Sequence, residues 1–375
     1  MRQTIKKTLK SIFRFTVSNF YHKPKFTVKL ILNKDYYIHK SYYPEKKQKS
    51  TFRIFCDQLI QLWKYGYPNE FYFMYGLDVK TDEEYETYMN YVPFMNRRNY
   101  LNHDRNIHNS TCILRNKLYF DIFARSIGVS VPQIVAYFSA NKLYSVADGF
   151  KEITFEQLAA MGNTMLFCKE MDGECGAGIF KLKIEDGIFY RNDEKISAEK
   201  LEALIHNAEY IFQELVTQHP RMSELYSGSI NTMRMVTVRS LKDNKIHLMP
   251  SILRIGANGS FVDNTSQGGI AVGFDLETGR LNRYGFHKPK FGLRVEQHPN
   301  SGIRLNEFVI PFIKEAEQKA MFFHSMLKDI HSVGWDIAIG PDGPIFIEGN
   351  DNWEINGPQV GNHGLKKEFE EYFYE

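Results

Sequence analysis

GWDIAIGPDGPIFIEGN, residues 334–350, reads as two strands joined by a tight turn. Gly334 to Ile339 and Pro344 to Glu348 are apolar strand patterns, and Gly340-Pro341-Asp342-Gly343 supplies the residues that turns demand. The turn brings Asp336 on the first strand beside Glu348 on the second, with Asn350 two positions further on the same face. Mg²⁺ takes one or two carboxylates together with phosphate oxygens and water, so two acids and an amide oxygen at a strand end make a competent nucleotide-metal site. Buried acids on neighbouring strands repel unless a cation or a proton intervenes. A solvent-facing turn with unrelated acids would fit the same letters, but Trp335, Ile337, Ile345, Phe346 and Ile347 embed both acids in apolar strand.

Working back along the chain, MLFCKEMDGECGAGIFKL (residues 165–182) delivers Lys169 from an apolar strand into a loop with Gly173, Gly176 and Gly178. Glycine loops let backbone N–H groups approach phosphate while a lysine reaches over as a point charge. The stretch is neither a Walker A motif nor a dinucleotide fingerprint, and an ordinary glycine hairpin remains its bland alternative. YIFQELV (210–216) is a strand whose end, Gln213, Glu214, Leu215 and Val216, offers groups for an adenine edge; alone it resembles any buried strand. SINTMRMVTVR (229–239) and SILRIGANGSFVDNTSQGGI (251–270) place Arg234 and Arg254 on neighbouring strands near Asn264, Gly268 and Gly269. A buried guanidinium is costly without an anion, so these arginines meet either structural acids or a phosphate and substrate carboxylate. The second is the reading favoured here. His298, in EQHPNSG, could position substrate or act as a base, although a lone loop histidine more often makes surface hydrogen bonds.

The elements around these motifs alternate between helix and strand. Ile113 to Ser126 reads as one helix with Lys117 in its first turns, stopped by Gly128 and Pro132. Hairpins are expected at 179–191 and, across Lys242-Asp243-Asn244, between 233–240 and 245–254. Ala198 to Ala208 is a helix, and Asn306 to Ile330 a long amphipathic one with Pro311 near its start. Thr51 to Tyr100 is rich in aromatics and reads as helical and buried.

Charge is uneven. Residues 1–50 hold thirteen basic side chains against Asp35 and Glu45, about +11, and the rest holds 34 basic against 42 acidic, about −8. Ile5, Leu9, Ile12, Phe13, Phe15 and Phe20 fall near helical spacing among lysines, a pattern that rests on anionic lipid or packs as an ordinary amphipathic helix. An acidic body argues against a nucleic-acid partner. Cys56, Cys112, Cys168 and Cys175 are scattered, which predicts neither disulfides nor zinc. No run approaches the roughly 18 apolar residues of a membrane span, and the opening lacks a secretion signal, so the expected place is cytoplasmic, with a peripheral seat on the inner membrane face as an extension.

In this order, a helix with an early lysine, a strand lysine with a glycine loop, a hinge strand, an arginine strand and a terminal D…ExN, the chain resembles the ATP-grasp superfamily over about residues 106–355. HPNSGI, NTMRMVT, DNTSQGGI and GWDIAI…IEGNDNW look like its sugar-transfer-associated branch, and more distantly like glutamate ligases and glutathione synthetase-like ligases. The resemblance implies an α+β fold of two lobes sandwiching ATP, behind a mainly helical, aromatic-rich N-terminal region. It implies three parts: 1–105, a small lobe 106–216 and a large lobe 217–375. By the same resemblance Asp336, Glu348 and Asn350 bind Mg²⁺, Lys117 and Lys169 bind phosphates, and Gln213 to Val216 bind adenine, while Arg234, Arg254 and Asn264 face an acyl phosphate. The acid that commonly holds ribose has Thr232 or Asn231 in its place, and Asp351, Asn352, Trp353 and Glu354 stand where a proline-glycine turn is usual. The implied activity is ATP-dependent joining of a carboxylate and an amine, on a sugar or glycan in cell-surface polysaccharide biosynthesis. A phosphotransferase acting on a hydroxyl and a non-catalytic nucleotide-binding protein are the alternatives.

Overall fold

The structure is a computed structural model that describes residues 21–105, 110–171 and 178–375. The expected helix over residues 5–20, with Gly173, Cys175 and Gly176, lies outside the described residues. Two antiparallel sheets organise the chain. The first contains β1 (Ile134–Ser139), β2 (Lys142–Ser145), β3 (Lys151–Ile153), β4 (Thr164–Glu170), β5 (Phe180–Glu185), β6 (Ile188–Arg191), β7 (Glu194–Ile196) and β8 (Tyr210–Glu214), in the order β3-β2-β1-β8-β4-β5-β6-β7. The second contains β9 (Thr232–Arg239), β10 (Ile246–Ile255), β11 (Ile270–Phe274), β12 (Leu281–Phe286), β13 (Arg294–Val295), β14 (Ser332–Gly340) and β15 (Gly343–Asn350), in the order β13-β12-β11-β10-β9-β14-β15. The alternating burial of β1 and β5 is the mark of sheets buried on one face, whereas β14 is buried throughout. Pro250 sits where the β9–β10 register slips, because it cannot donate to the ladder.

The helices are α1 (Lys23–Leu32), α2 (Thr51–Tyr65), α3 (Tyr91–Asn99), α4 (Thr111–Arg115), α5 (Lys117–Ser126), α6 (Ile313–Met326) and α7 (Lys366–Phe373), besides the expected helix before β8, here Ala198–Ile205, and several shorter ones. Three sequence expectations change here. The single helix over 113–126 is broken at Asn116, whose side chain caps α5 by accepting from the N–H groups of Leu118 and Tyr119. Asparagine serves better as a cap than inside a helix, and the break makes Lys117 the first residue of α5. The long helix over 306–330 shrinks to α6, because Val309 bridges Arg280, Pro311 bars its predecessor from helical geometry and Phe312 turns left-handed at φ 55°. Finally, α2 is not uniformly buried: Phe52 and Trp63 lie on its exposed side.

The main core fills the space between the second sheet, α5 and α6, with Phe323 against Trp335 at 4.7 Å and Phe346 at 5.9 Å. The N-terminal region is fastened to the chain's end. Asn102, fully buried, donates to the carbonyls of Ser332 (3.0 Å) and Asp351 (2.7 Å) and accepts from the N–H groups of His331 and Ser332, both at 3.0 Å. One amide thus ties the start of β14 to the residue after β15. Tyr75 donates to Asn356 at 2.7 Å and Arg97 to the Phe373 carbonyl at 2.7 Å. Asn102→Ala is expected to cost about 3–5 kcal/mol, since several buried backbone groups lose their partners at once. Chemical denaturation measures it, and a loss under about 1 kcal/mol would show that water replaces the amide.

Candidate active site

The final hairpin owes its acid pair to an extra residue. Gly340 faces Gly343 and Ile337 faces Phe346, so uninterrupted pairing would set Asp336 opposite Ile347. Instead the register shifts by one between Asp336 and Ile337, and Asp336 faces Glu348 while Gly334 faces Asn350. Residues two apart in a strand share a face; the bulge breaks that rule between Phe346, which packs in the core, and Glu348, which lines a cleft. Gly349 is required beside it, because a Cβ there would come within 2.8 Å of Leu114.

Asp336 is buried and gripped by two arginines. Arg234 on β9 donates to both its carboxylate oxygens, and Arg254 Nη2 on β10 reaches Oδ2 at 2.8 Å. Burial alone would raise its pKa, but attraction to Arg234 and Arg254 outweighs this and holds the carboxyl well below its usual range. Glu348 moves the other way: burial, then the neighbouring Asp336 charge, push it up, while Asn350 Nδ2 donates to its Oε1 at 3.1 Å. Burial and charge thus drive the two neighbouring acids in opposite directions. Among the described residues no three His, Cys, Asp or Glu side chains cluster as a metal site. The donor set that exists, two carboxylates and an amide, is all hard oxygen and fits Mg²⁺.

The arginines also meet an acid outside the sequence expectations. Asp263 accepts from the Thr232 hydroxyl and its N–H (2.9 Å to the latter), and Thr232 Oγ1 in turn accepts from Arg254 Nη2 at 2.7 Å. Arg254 feels burial as a lowering influence, yet Asp336, Asp263 and Glu348 more than compensate and raise its pKa. Thr232, expected at ribose, is thus the bridge between an arginine and a half-buried acid. Asn264 caps the turn that follows, accepting from Ser266 N–H at 3.0 Å.

Across from the acids stand two cations, Lys169 on β4 of the first sheet and Lys117 at the start of α5. A cleft is lined by Lys117, Lys169 and Gln213 on one side and Ile347 and Glu348 on the other. Lys169 Nζ donates to Gln213 Oε1 at 2.8 Å, and Lys117 Nζ to the carbonyls of Glu170 (3.0 Å) and Met171 (2.8 Å). Burial brings the Lys169 pKa down to about 8, against the opposing pull of Glu348. Glu214 and Leu215 are exposed at the end of β8 and Val216 is half-buried, so this rim borders the cleft rather than its floor. Gly178 takes φ +69°, and a Cβ there would meet Glu170. His298 stands apart from the base expected of it. It is fully buried, with Nε2 donating to the Gly256 carbonyl at 2.8 Å and Nδ1 facing the N–H groups of Asn300 and Ser301, both at 3.4 Å. Burial lowers its pKa, and both nitrogens are occupied, Nδ1 within its own loop and Nε2 in tying that loop to Gly256 after β10.

The model of the family described as sugar-transfer associated ATP-grasp matches residues 96–372. No curated protein matches. Among solved structures, an N5-carboxyaminoimidazole ribonucleotide synthetase from Thermus thermophilus is 13% identical with a TM-score of 0.36, covering 68% of this chain and 52% of its own. The ATP-grasp ligase PsnB, solved with a phosphomimetic variant of its minimal precursor, Mg and ADP, is 15% identical with a TM-score of 0.36, covering 70% and 55%. A D-alanine–D-alanine ligase from Bacillus anthracis is 13% identical with a TM-score of 0.35, covering 64% and 57%. The chain spans about half the length of the structures it matches.

Proposed function

The chain belongs to the sugar-transfer associated ATP-grasp family, and from that premise we propose that it is an ATP-dependent carboxylate–amine ligase. The observation that carries the reading is the cleft where Lys117, Lys169 and Gln213 confront Glu348, with Asp336 paired beside it. Lys117 and Lys169 hold phosphate oxygens there, and Gln213 to Val216 border the adenine. Asp336, Glu348 and Asn350 would hold Mg²⁺, which supplies neutralising charge for phosphoryl transfer. The γ-phosphoryl group of ATP passes to a substrate carboxylate, leaving ADP. An amine nitrogen then attacks the acyl carbon, forming the amide and releasing phosphate and a proton. Arg254 and Arg234, now paired with Asp336, would on this reading meet the negative charge that develops in both steps, and Thr232 and Asp263 would keep Arg254 aimed. On this reading 106–216 and 217–375 act as the two lobes around the nucleotide.

The finer substrate, an amino acid joined to a uronic acid or a lipid-linked glycan, draws on the family description alone, as does a role in cell-surface polysaccharide synthesis. The inner face of the membrane would suit such a substrate, and no helix among the described residues is long and apolar enough to cross one. The test is a screen of ADP release with Mg·ATP against amino acids paired with uronic acids, beside a thermal melt. At 100 times its Kd, Mg·ATP should stabilise by about 2.7 kcal/mol. No stabilisation would overturn the nucleotide site, and a stable phosphoester without need of an amine would make the protein a phosphotransferase.

A further inference from the structure

Helix α2 is built inside out. Its buried side carries Asp57, Gln58 and Gln61 beside Ile54 and Leu62. Each polar group is satisfied: Asp57 accepts from Tyr72 Oη at 2.6 Å, Gln58 donates to the Tyr36 and Asn69 carbonyls, and Gln61 bonds Tyr85 and Asn90. Phe52, Ile60 and Trp63, spaced to share one face and continued by Tyr67, are left in solvent, exposed by 76%, 60%, 48% and 47%. Helix α1 repeats the pattern, with Tyr21, Val28, Ile31 and Leu32 exposed and Leu30 buried. The two are joined where Phe26 meets Tyr67 edge-on at 4.7 Å. A sequence able to place glutamines in the core and a tryptophan outside is not obeying the usual sorting of a free surface.

Cations border this stripe. Lys23 Nζ lies 5.9 Å from the Trp63 ring and Lys25 Nζ 5.6 Å from that of Tyr21. Residues 21–67 hold ten basic side chains and three acids, of which Asp57 is buried and Glu45 is paired with Arg294. Lysine is depleted from protein–protein interface cores, whereas lysine flanking exposed tryptophan, tyrosine and aliphatic groups suits the headgroup boundary of a bilayer. We propose that the joined α1–α2 face is a docking surface for an anionic lipid bilayer, the apolar stripe entering the headgroup boundary and the lysines meeting lipid phosphates and carboxylates. The inference rests on this face alone, so its test leaves ATP turnover out and its failure is distinct from failure of the ligase reading.

The chain has three tryptophans, and Trp335 and Trp353 are fully buried. A shift in the tryptophan emission of the full chain on contact with a surface therefore reports on Trp63, the exposed one of the three. Adding phosphatidylserine-containing vesicles at about 50 mM salt should shift it to the blue and carry the protein into the pellet, while pure phosphatidylcholine vesicles should do far less. Each lysine lost near such a surface costs about fivefold in affinity, so Lys25→Glu with Lys29→Glu should weaken binding at least ~25-fold. Ile60→Glu should abolish the emission shift, and Leu204→Glu, an exposed apolar position on another helix, should leave it intact. An unchanged emission with anionic vesicles overturns the proposal. So does equal binding to neutral vesicles, a lipid-free oligomer that Ile60→Glu dissociates, or binding lost only when residues 1–20 are removed and indifferent to Ile60→Glu.

Discussion

Glu348→Gln is expected to keep the fold and lose ATP turnover by on the order of 10²–10³-fold, the scale of removing one preorganised charged group from a reacting centre. The asymmetry follows from the unequal acids. Burial and the neighbouring Asp336 charge both oppose the Glu348 anion and raise its pKa, so an uncharged group of the same shape is tolerated there. A glutamine keeps the shape and an oxygen to accept from Asn350, so its stability should lie within about 1 kcal/mol of wild type. What it cannot do is supply an anionic oxygen to a cation. Asp336→Asn is a different experiment, because it leaves Arg234 and Arg254 buried with one carboxylate fewer. Breaking a buried pair from one side costs about 3–5 kcal/mol, so that variant should lose both activity and melting temperature. Denaturation and steady-state turnover, measured on both proteins, separate the cases. Equal stability of the two variants would mean that the arginines find other partners, and full turnover by Glu348→Gln would remove Glu348 from the metal.

Lys169→Met is expected to weaken nucleotide binding, whereas Arg254→Lys should bind nucleotide nearly as wild type and turn over slowly. Lys169 lies in the cleft beside Gln213, where a lost phosphate contact acts already on the ground state. Arg254 lies behind the acids, in a fork shared among Thr232, Asp263 and Asp336. Lysine there keeps a cation but not the planar fork, and a misaimed charge lowers kcat more than affinity. The lysine carries its own signature. Its pKa near 8 means that its charge is lost as pH rises through that value, so affinity for a nucleotide analogue should fall by up to about tenfold per pH unit above 8. Lys169→Arg should flatten the profile, since arginine stays protonated. A flat profile in the wild type, or equal affinity losses in Lys169→Met and Arg254→Lys, would contradict this placement.

Much of the site lies in periodic sequence and was legible for that reason. The apolar strands around Asp336, Glu348, Arg234 and Lys169 announce themselves by apolar runs and bounding turns; Lys169 and Glu348 line the cleft, and Asp336 faces Glu348 and pairs with Arg234. Asp263 and Asn102 escaped because they sit in irregular or π-helical backbone, where no period says which way a side chain points. The break at Asn116 lies inside apolar spacing that reads as one continuous helix, and only the structure shows its side chain turned back as a cap. For α2, composition correctly suggested a helix, but aromatic content carries no information about which face is inside when Tyr36, Asn69, Tyr72 and Tyr85 stand ready to satisfy buried polar groups. His298 is a chemically capable residue whose ring nitrogens bond backbone groups, one in its own loop and one at Gly256, which spacing in the sequence does not announce.

The extra residue at Ile347 makes β15 serve two masters along eight residues. Up to Phe346 the strand is wall to the aromatic core; beyond Ile347 it is floor to the cleft, and the exchange of roles happens within a single peptide's length. Spacing between core and chemistry is then a matter of counting, odd rather than even, and not of distance alone. Point changes at neighbouring positions can be absorbed by repacking, but a frame slip of one residue in the hairpin would turn an acid inward and a phenylalanine outward together. The strand thereby couples the integrity of the interior to the geometry of the acids, so that the protein has no way to keep one while drifting in the other.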